Sequence, residues 1–516
     1  MDGQKRQRMK EQLMYQNPVI PGFYPDPSVC RVGEDYYLAT SSFEYFPGVP
    51  IFHSRDLVHW RQIGHALTRA SQLPLTGVAS SRGIFAPTLR YHAGRFYLVT
   101  TNVSFRGNFF VWTDDLAGEW SEPIFLQQGG IDPSFCFDDG HVYLTSNGDG
   151  PRRGIYQCEI DPQTGAQLTE TRYLWAGTGG RFPEAPHLYH IGDYYYLLIA
   201  EGGTEYGHMV TAARSTSPWG PFEPCPRNPL LTHRDEDLHP IQGTGHADLI
   251  QAHDGNWWLL FLGFRPQQRL YHHLGRETFL APLRWTADHW PLVSPTKTVQ
   301  LRMEVAALPA HPWPQEPARD DFDVPRLRLC WNFLRNPDPT SWSLTERPGW
   351  LRLRGSALTL DDEASPAFLG RRQQHFTCQI QTLLHFAPER DGEEAGLTVL
   401  MNNCHHYEIA LTRLDGERRI IVRRRIGDLC AVVKQVPVET DLVELSIQAQ
   451  ADQYLFAYAL PGEAARELAT GAARYLSTEV AGGFTGVYFG LYATGNGCAA
   501  ARPADFDWFD YLPLEA

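Results

Sequence analysis

Three carboxylates recur at matching points of a repeated segment: Asp26 in Asp26-Pro27-Ser28, Asp132 in Asp132-Pro133-Ser134, and Glu184 beside Ala185-Pro186-His187. A single Asp-Pro-Ser turn is usually a local cap, its side chain accepting a backbone amide two residues on. Two copies in register, with a third acid beside the equivalent position, exceed what capping needs. Ionised carboxylates gathered at one place raise the pKa of a neighbour and keep it protonated near neutrality, while another remains available as a base. Such a division among aromatic rings suits cleavage of a glycosidic bond. One group protonates the leaving oxygen and the other activates water or attacks the sugar.

The elements that position these acids are legible as a repeat. Each opening residue, followed by Pro or Asp, stands twelve positions before the Leu of an aromatic strand. The openings are Asp26, Ala86, Asp132, Ala185 and Ala247, and the strands end on Leu38, Leu98, Leu144, Leu197 and Leu259. The spacing of 60, 46, 53 and 62 residues is too loose for a solenoid and suits propeller blades with unequal outer loops. Between opening and strand lie turns such as Asp139-Gly140 and Asp254-Gly255-Asn256, which suit hairpins. Five equivalent openings would converge on one axis and bring the three acids together.

Composition fits this architecture. The chain has 516 residues, more than one core usually organises, with 14 Trp, 23 Tyr, 27 Phe, 45 Gly and 38 Pro. Helical periodicity is hard to find anywhere. The net charge of −14 argues against a nucleic-acid or anionic-membrane partner and favours a neutral one. Nine scattered Cys without ligand spacing indicate neither a disulfide framework nor a zinc site. Met1 to Gln16 is charged and lacks a signal-peptide core, so the expected location is the cytoplasm.

The expected fold class is all-β: a five-bladed β-propeller followed by a β-sandwich. The expected division is a disordered extension over 1–16, a catalytic propeller over 17–307, a Pro-rich linker over 308–319 and a C-terminal sandwich over 320–516. The linker, Leu308 to Pro317, resists both helix and central strand. Beyond it, period-two segments such as Tyr407-Glu408-Ile409-Ala410-Leu411 indicate the sandwich strands.

At these residues the chain resembles glycoside hydrolase family 43, in particular its β-xylosidase and α-L-arabinofuranosidase members with a C-terminal sandwich. The resemblance runs through Phe23-Tyr24-Pro25-Asp26-Pro27-Ser28, Ser41-Ser42-Phe43-Glu44-Tyr45-Phe46-Pro47-Gly48, Gly83-Ile84-Phe85-Ala86-Pro87, Ile131-Asp132-Pro133-Ser134, Glu184-Ala185-Pro186-His187, Glu201-Gly202-Gly203-Thr204, Gly245-His246-Ala247-Asp248 and Gly275-Arg276-Glu277-Thr278. It continues at Trp331-Asn332-Phe333-Leu334-Arg335.

The resemblance implies Asp26 as general base, Glu184 as general acid, and Asp132 as the group that orients Glu184 and tunes its pKa. It implies inversion in one displacement. Arg276 would reach sugar hydroxyls, the bland alternative being a salt bridge to a nearby acid such as Glu277. His246 would lie on the axis as a substrate contact or as a candidate calcium ligand; no cofactor is otherwise required. Phe43 and Phe85 would wall the sugar, and Phe484 would close the pocket from the sandwich. At Phe85 the chain departs from many β-xylosidases, where Trp is frequent. The implied activity is exo-cleavage of β-1,4-xylo-oligosaccharides, with α-L-arabinofuranosidase or a bifunctional enzyme as the alternative and a non-catalytic sugar-binding propeller as the rival of another class. The expected partner is a small oligosaccharide, with homo-oligomerisation left open.

Overall fold

The computed structural model describes residues 14–148, 150–304 and 308–514. The first domain is a ring of five antiparallel sheets, each built from strands that follow one another in sequence, save that Tyr45–Phe46, between the second and third strands of blade 1, pairs outside the ring. Blade 1 comprises Ser28–Val32, Asp35–Ala39, Gly48–Ser54 and Arg61–Leu67. Blades 2 to 5 begin with Thr88–His92, Ile131–Asp138, Glu184–Ile191 and Gln242–Gln251. These five innermost strands contain or directly follow the five openings of the sequence repeat. Their partners, such as Tyr194–Glu201 and Trp257–Phe264, are the aromatic and aliphatic runs, buried along most of their length.

Since every blade is contiguous in sequence, ring closure depends on side chains and on the chain ends. Asp248 of blade 5 is completely buried and acts as the hub. It accepts hydrogen bonds from Ser28 Oγ and Val29 N–H of blade 1, Arg90 of blade 2 and Tyr189 Oη of blade 4. Met14–Gln16 was expected within a disordered extension. It instead forms a strand paired antiparallel with Arg302–Glu304, and Tyr15 Oη donates to the Leu280 carbonyl at 2.7 Å. Burial of Tyr15 favours this order over a solvated tail. The remainder of that expected extension, residues 1–13, lies outside the described residues, as do 305–307 beside the linker.

The second domain stacks a six-stranded sheet on a larger one, which runs from Trp342–Ser343 through Ala504–Pro513 and Cys378–His385 to Arg466–Ala472. Leu397, Tyr407, Ile409, Ile447, Phe456 and Phe489 lie in the core between the sheets. Among the described residues, helix is confined to the single turns Ala473–Leu476 and Thr478–Ala481.

The domains are joined by more than the linker. Tyr45–Phe46 of the propeller pairs with Phe333–Leu334 of the sandwich. Phe23, Phe43 and Tyr45 share one buried cluster with Phe368, Tyr488 and Tyr492. The linker lies along blade 1, where His311 N–H donates to Asp56 at 2.6 Å and Trp313 Nε1 donates to the His59 carbonyl.

Candidate active site

The opening residues share an unusual backbone. Asp26, Asp132 and Ala185 each precede Pro, yet adopt left-handed φ values of 56°, 55° and 52°. A residue before Pro ordinarily prefers extended backbone, and left-handed φ is uncommon outside Gly. Pairing slips at the same places, between Ile131 and Ser134 and between Glu184 and His187. The resulting bulges turn side chains that would otherwise follow the pleat. In blade 4 the left-handed position falls on Ala185, so the carboxylate is carried by the residue before it. This accounts for the one-residue offset between Glu184 and the two aspartates.

The result is one pocket, with a cavity volume of about 90 Å³. It is lined by all eight residues singled out in the sequence: Asp26, Phe43, Phe85, Asp132, Glu184, His246, Arg276 and Phe484. Since a water needs ~10–15 Å³ on this scale, the space matches one small sugar ring better than a stretch of polymer. Phe43 stacks on Phe484 with centroids 6.1 Å apart, and Phe85 meets both rings at 5.3 and 6.0 Å. Phe484 belongs to the sandwich. Its backbone N–H donates to Ser81 Oγ at 2.8 Å, and its carbonyl accepts from Arg276.

The three acids differ electrostatically. Asp26 Oδ1 accepts from Arg276 at 2.9 Å, and Oδ2 accepts from Ser41 Oγ at 2.5 Å. Burial alone would raise its pKa, but Arg276, His246 and the Ser41 hydroxyl together hold it below the ordinary carboxylate range. Glu184 is displaced the other way, well above that range, by burial and then by the charges of Asp132 and Asp26. Asp132 is also raised, first by burial, with His246 and the Ala185 N–H opposing the shift. That N–H donates to Asp132 Oδ2 at 3.0 Å, which ties Asp132 to the backbone carrying Glu184. One group is thus held ionised and another held protonated within a single pocket.

Arg276 does form a salt bridge to a nearby acid, but that acid is the pocket's Asp26, at 2.9 Å, and not Glu277. Glu277 is occupied by Arg265 at 2.7 and 2.8 Å and by the Gly22 N–H. His246 is buried, with left-handed φ of 45° and Nδ1 3.6 Å from Asp26. Its surroundings do not suit a protein-caged calcium ion, which takes six to eight oxygen ligands. Among the described residues no group of three or more His, Cys, Asp and Glu is placed to hold a metal. Nearby His187 meets the Arg90 guanidinium through Nδ1 at 2.9 Å, while its buried Nε2 has no hydrogen-bond partner.

Sequence reasoning assigned no role to Ser41, Thr204 or His208. Thr204 accepts from Arg276 at 3.0 Å, and buried His208 lines the wall, its pKa lowered to about 3 chiefly by burial and so neutral. Thr204 stands in a segment that carried the family resemblance, but a lone Ser, Thr or His has no spacing that marks it as part of a site.

Comparison with known proteins agrees with this architecture. Residues 15–291 match glycosyl hydrolases family 43, and residues 319–512 match the beta xylosidase C-terminal concanavalin A-like domain. A non-reducing end alpha-L-arabinofuranosidase of Bacteroides ovatus is 46% identical over 98% of this chain and 96% of its own. A beta-xylosidase of Bacillus subtilis is 36% identical over 96% of this chain and 99% of its own. Among solved structures, the Bacteroides ovatus xyloglucan-locus GH43B superposes with a TM-score of 0.95 at 46% identity, covering 97% of this chain and all (100%) of that one. The xylan beta-1,4-xylosidase of Bacillus halodurans does so with a TM-score of 0.92 at 37% identity, covering 96% and 100%. With its propeller, its sandwich and both family matches in place, this chain belongs to glycosyl hydrolases family 43 and is a glycoside hydrolase.

Proposed function

We propose that the enzyme removes single terminal pentose residues from the non-reducing end of short oligosaccharides by one displacement with inversion. The observation that carries this reading is the opposite displacement of Asp26 and Glu184 inside one pocket that Phe484 helps to close. Asp26, held ionised, takes a proton from the attacking water. Glu184, held protonated, gives its proton to the leaving oxygen. Asp132 positions Glu184 through the Ala185 N–H, and its charge adds to burial in keeping Glu184 protonated. Arg276 holds Asp26 and lies within reach of a sugar hydroxyl, and the three Phe rings wall the sugar's apolar faces.

For the pentose, α-L-arabinofuranose is the first choice and β-D-xylose the second. The relative named for arabinofuranose shares 46% of its residues with this chain, against 36% for the beta-xylosidase. The presence of Phe85 where Trp is frequent in β-xylosidases favours the same order. Parallel assays on an aryl α-L-arabinofuranoside, an aryl β-xyloside and xylobiose test it. A higher kcat/KM on the arabinofuranoside is expected, and the reverse order would restore the xylosidase reading.

A further inference from the structure

The topology fixes which loops surround the pocket mouth. In each blade the first strand starts at the pocket, so the turn joining the second and third strands returns to the same side. In blade 3 that turn lies between His141–Asn147 and Ile155–Glu159 and carries Arg153. In blade 4 it lies between Tyr194–Glu201 and Met209–Ser215 and carries Gly203, Thr204 and Glu205. The segment entering blade 4 brings Arg181 and Phe182 to this rim.

Phe182 is 46% exposed and is held at a left-handed φ of 50°. A lone exposed Phe needs no explanation, but a bulky residue in this backbone region is disfavoured and points to function. The guanidinium carbons of Arg153 and Arg181 lie 5.2 and 5.3 Å from its ring centre. The segment is anchored, since the Arg181 carbonyl accepts from Gly202 N–H at 2.7 Å and the Arg181 side chain pairs with Glu205. Gly203 leaves room for the ring: a β-carbon there would approach Phe182 to 3.2 Å.

Phe182 stands two positions before Glu184, a chain distance of at most about 7 Å. A general acid delivers its proton to the oxygen between the sugar in the pocket and the leaving group. The leaving group therefore sits on the Glu184 side of the mouth. We propose that Phe182, flanked by Arg153 and Arg181, is the platform on which the leaving sugar rests, its apolar ring face on the phenyl ring and its hydroxyls toward the two guanidinium groups. The substrate class is then a glycoside whose leaving group is itself a sugar ring. The inference rests on the acid–base reading of the pocket given above.

The test compares two substrates of whichever pentose the parallel assays favour: a disaccharide, whose leaving group is a sugar, and the glycosyl fluoride, whose leaving group has no ring. Phe182→Ala is expected to lower kcat/KM on the disaccharide by about three- to tenfold, the range of an aromatic contact. On the fluoride it should stay within twofold of the unaltered enzyme, and Phe182→Tyr, which keeps the ring, should restore the disaccharide rate. Unchanged disaccharide hydrolysis in Phe182→Ala would overturn the platform. So would an equal loss on both substrates, which would place the effect in the sugar pocket, or a disaccharide loss accompanied by a shifted alkaline limb of the pH profile, which would place it on Glu184. If the unaltered enzyme cleaves neither substrate, the acid–base reading itself fails and this inference falls with it.

Discussion

Asp26 and Glu184 share a pocket, Asp26 buried and Glu184 partly exposed, yet their neighbours differ in sign. Arg276 and His246 face Asp26, whereas Asp132 and Asp26 face Glu184. A general acid matters most when the leaving group is poor. Glu184→Ala should lower kcat on a disaccharide by about 10²- to 10⁴-fold while affecting an aryl glycoside of an acidic phenol far less; steady-state assays on both substrates check this, and equal losses would contradict the assignment. Asp132 acts through its charge. In a bell-shaped profile the alkaline limb reports loss of the proton from Glu184. Asp132→Asn removes a negative neighbour, so Glu184 ionises more readily and that limb should move to lower pH, together with lower activity. A pH series of kcat/KM shows the direction of movement, and a limb that moves upward would remove Asp132 from this role.

At the scale of elements, the decisive device is the sandwich segment that carries Phe484 to the propeller. The single turn Thr478–Ala481 is fastened to blade 5 by Glu479, which accepts from the His272 backbone N–H at 2.9 Å and pairs with its ring at 2.6 Å. Downstream, Val487 N–H donates to the His273 carbonyl. Between these anchors Gly482 and Gly483 take left-handed φ values of 71° and 83°, and a β-carbon at Gly483 would lie 2.4 Å from Ser81 Oγ. Gly483→Ala should therefore displace Phe484 and reproduce the effect of Phe484→Ala. For both variants a fall in kcat/KM of about tenfold to a hundredfold is expected, because a small misplacement of a substrate-positioning group is costly. Full activity in Gly483→Ala would show that the segment is not held as described.

This segment also marks where sequence reading stops. The openings Asp26, Asp132 and Ala185 were legible because one backbone geometry imposes one spacing on three blades. Asp248 belongs to the same repeat, yet it ties the ring together rather than lining the pocket. That distinction depends on Arg90 and Tyr189, which carry no local signal. Likewise Met14–Gln16 and the two-residue pairing of Tyr45–Phe46 with Phe333–Leu334 depend on distant partners. Strands this short have no periodicity to read. Phe484 was reached only through resemblance, because nothing in a Gly-Gly-Phe-Thr-Gly segment says which domain it will touch.

The molecule as a whole depends on the sandwich being rigid enough to hold that contact. Its six-stranded sheet contains a buried ionic cluster in which Arg423 donates to Glu394 at 2.8 and 2.6 Å and also pairs with Glu408, while Tyr492 Oη donates to Glu394 at 2.5 Å. Removing the cation leaves two carboxylates buried together. Arg423→Met should destabilise the protein by about 3–5 kcal/mol, read as a fall in the urea midpoint. The loss should be larger at pH 8 than at pH 5: without Arg423, Glu394 and Glu408 both lose the charge that opposes the upward pull of burial on their pKa values, and a carboxylate whose folded pKa lies above its unfolded value costs more stability as the pH rises. A loss independent of pH would point to packing instead of charge.

The central claim is that Asp26 activates a water for direct attack while Glu184 protonates the leaving group, with no covalent intermediate. The product's configuration at the moment of release reports this. Proton NMR of the unaltered enzyme, at a concentration high enough to outrun mutarotation, identifies the first anomer formed. The account predicts the anomer opposite in configuration to the substrate; accumulation of the same configuration first would mean that a protein group attacks the sugar, and would contradict it.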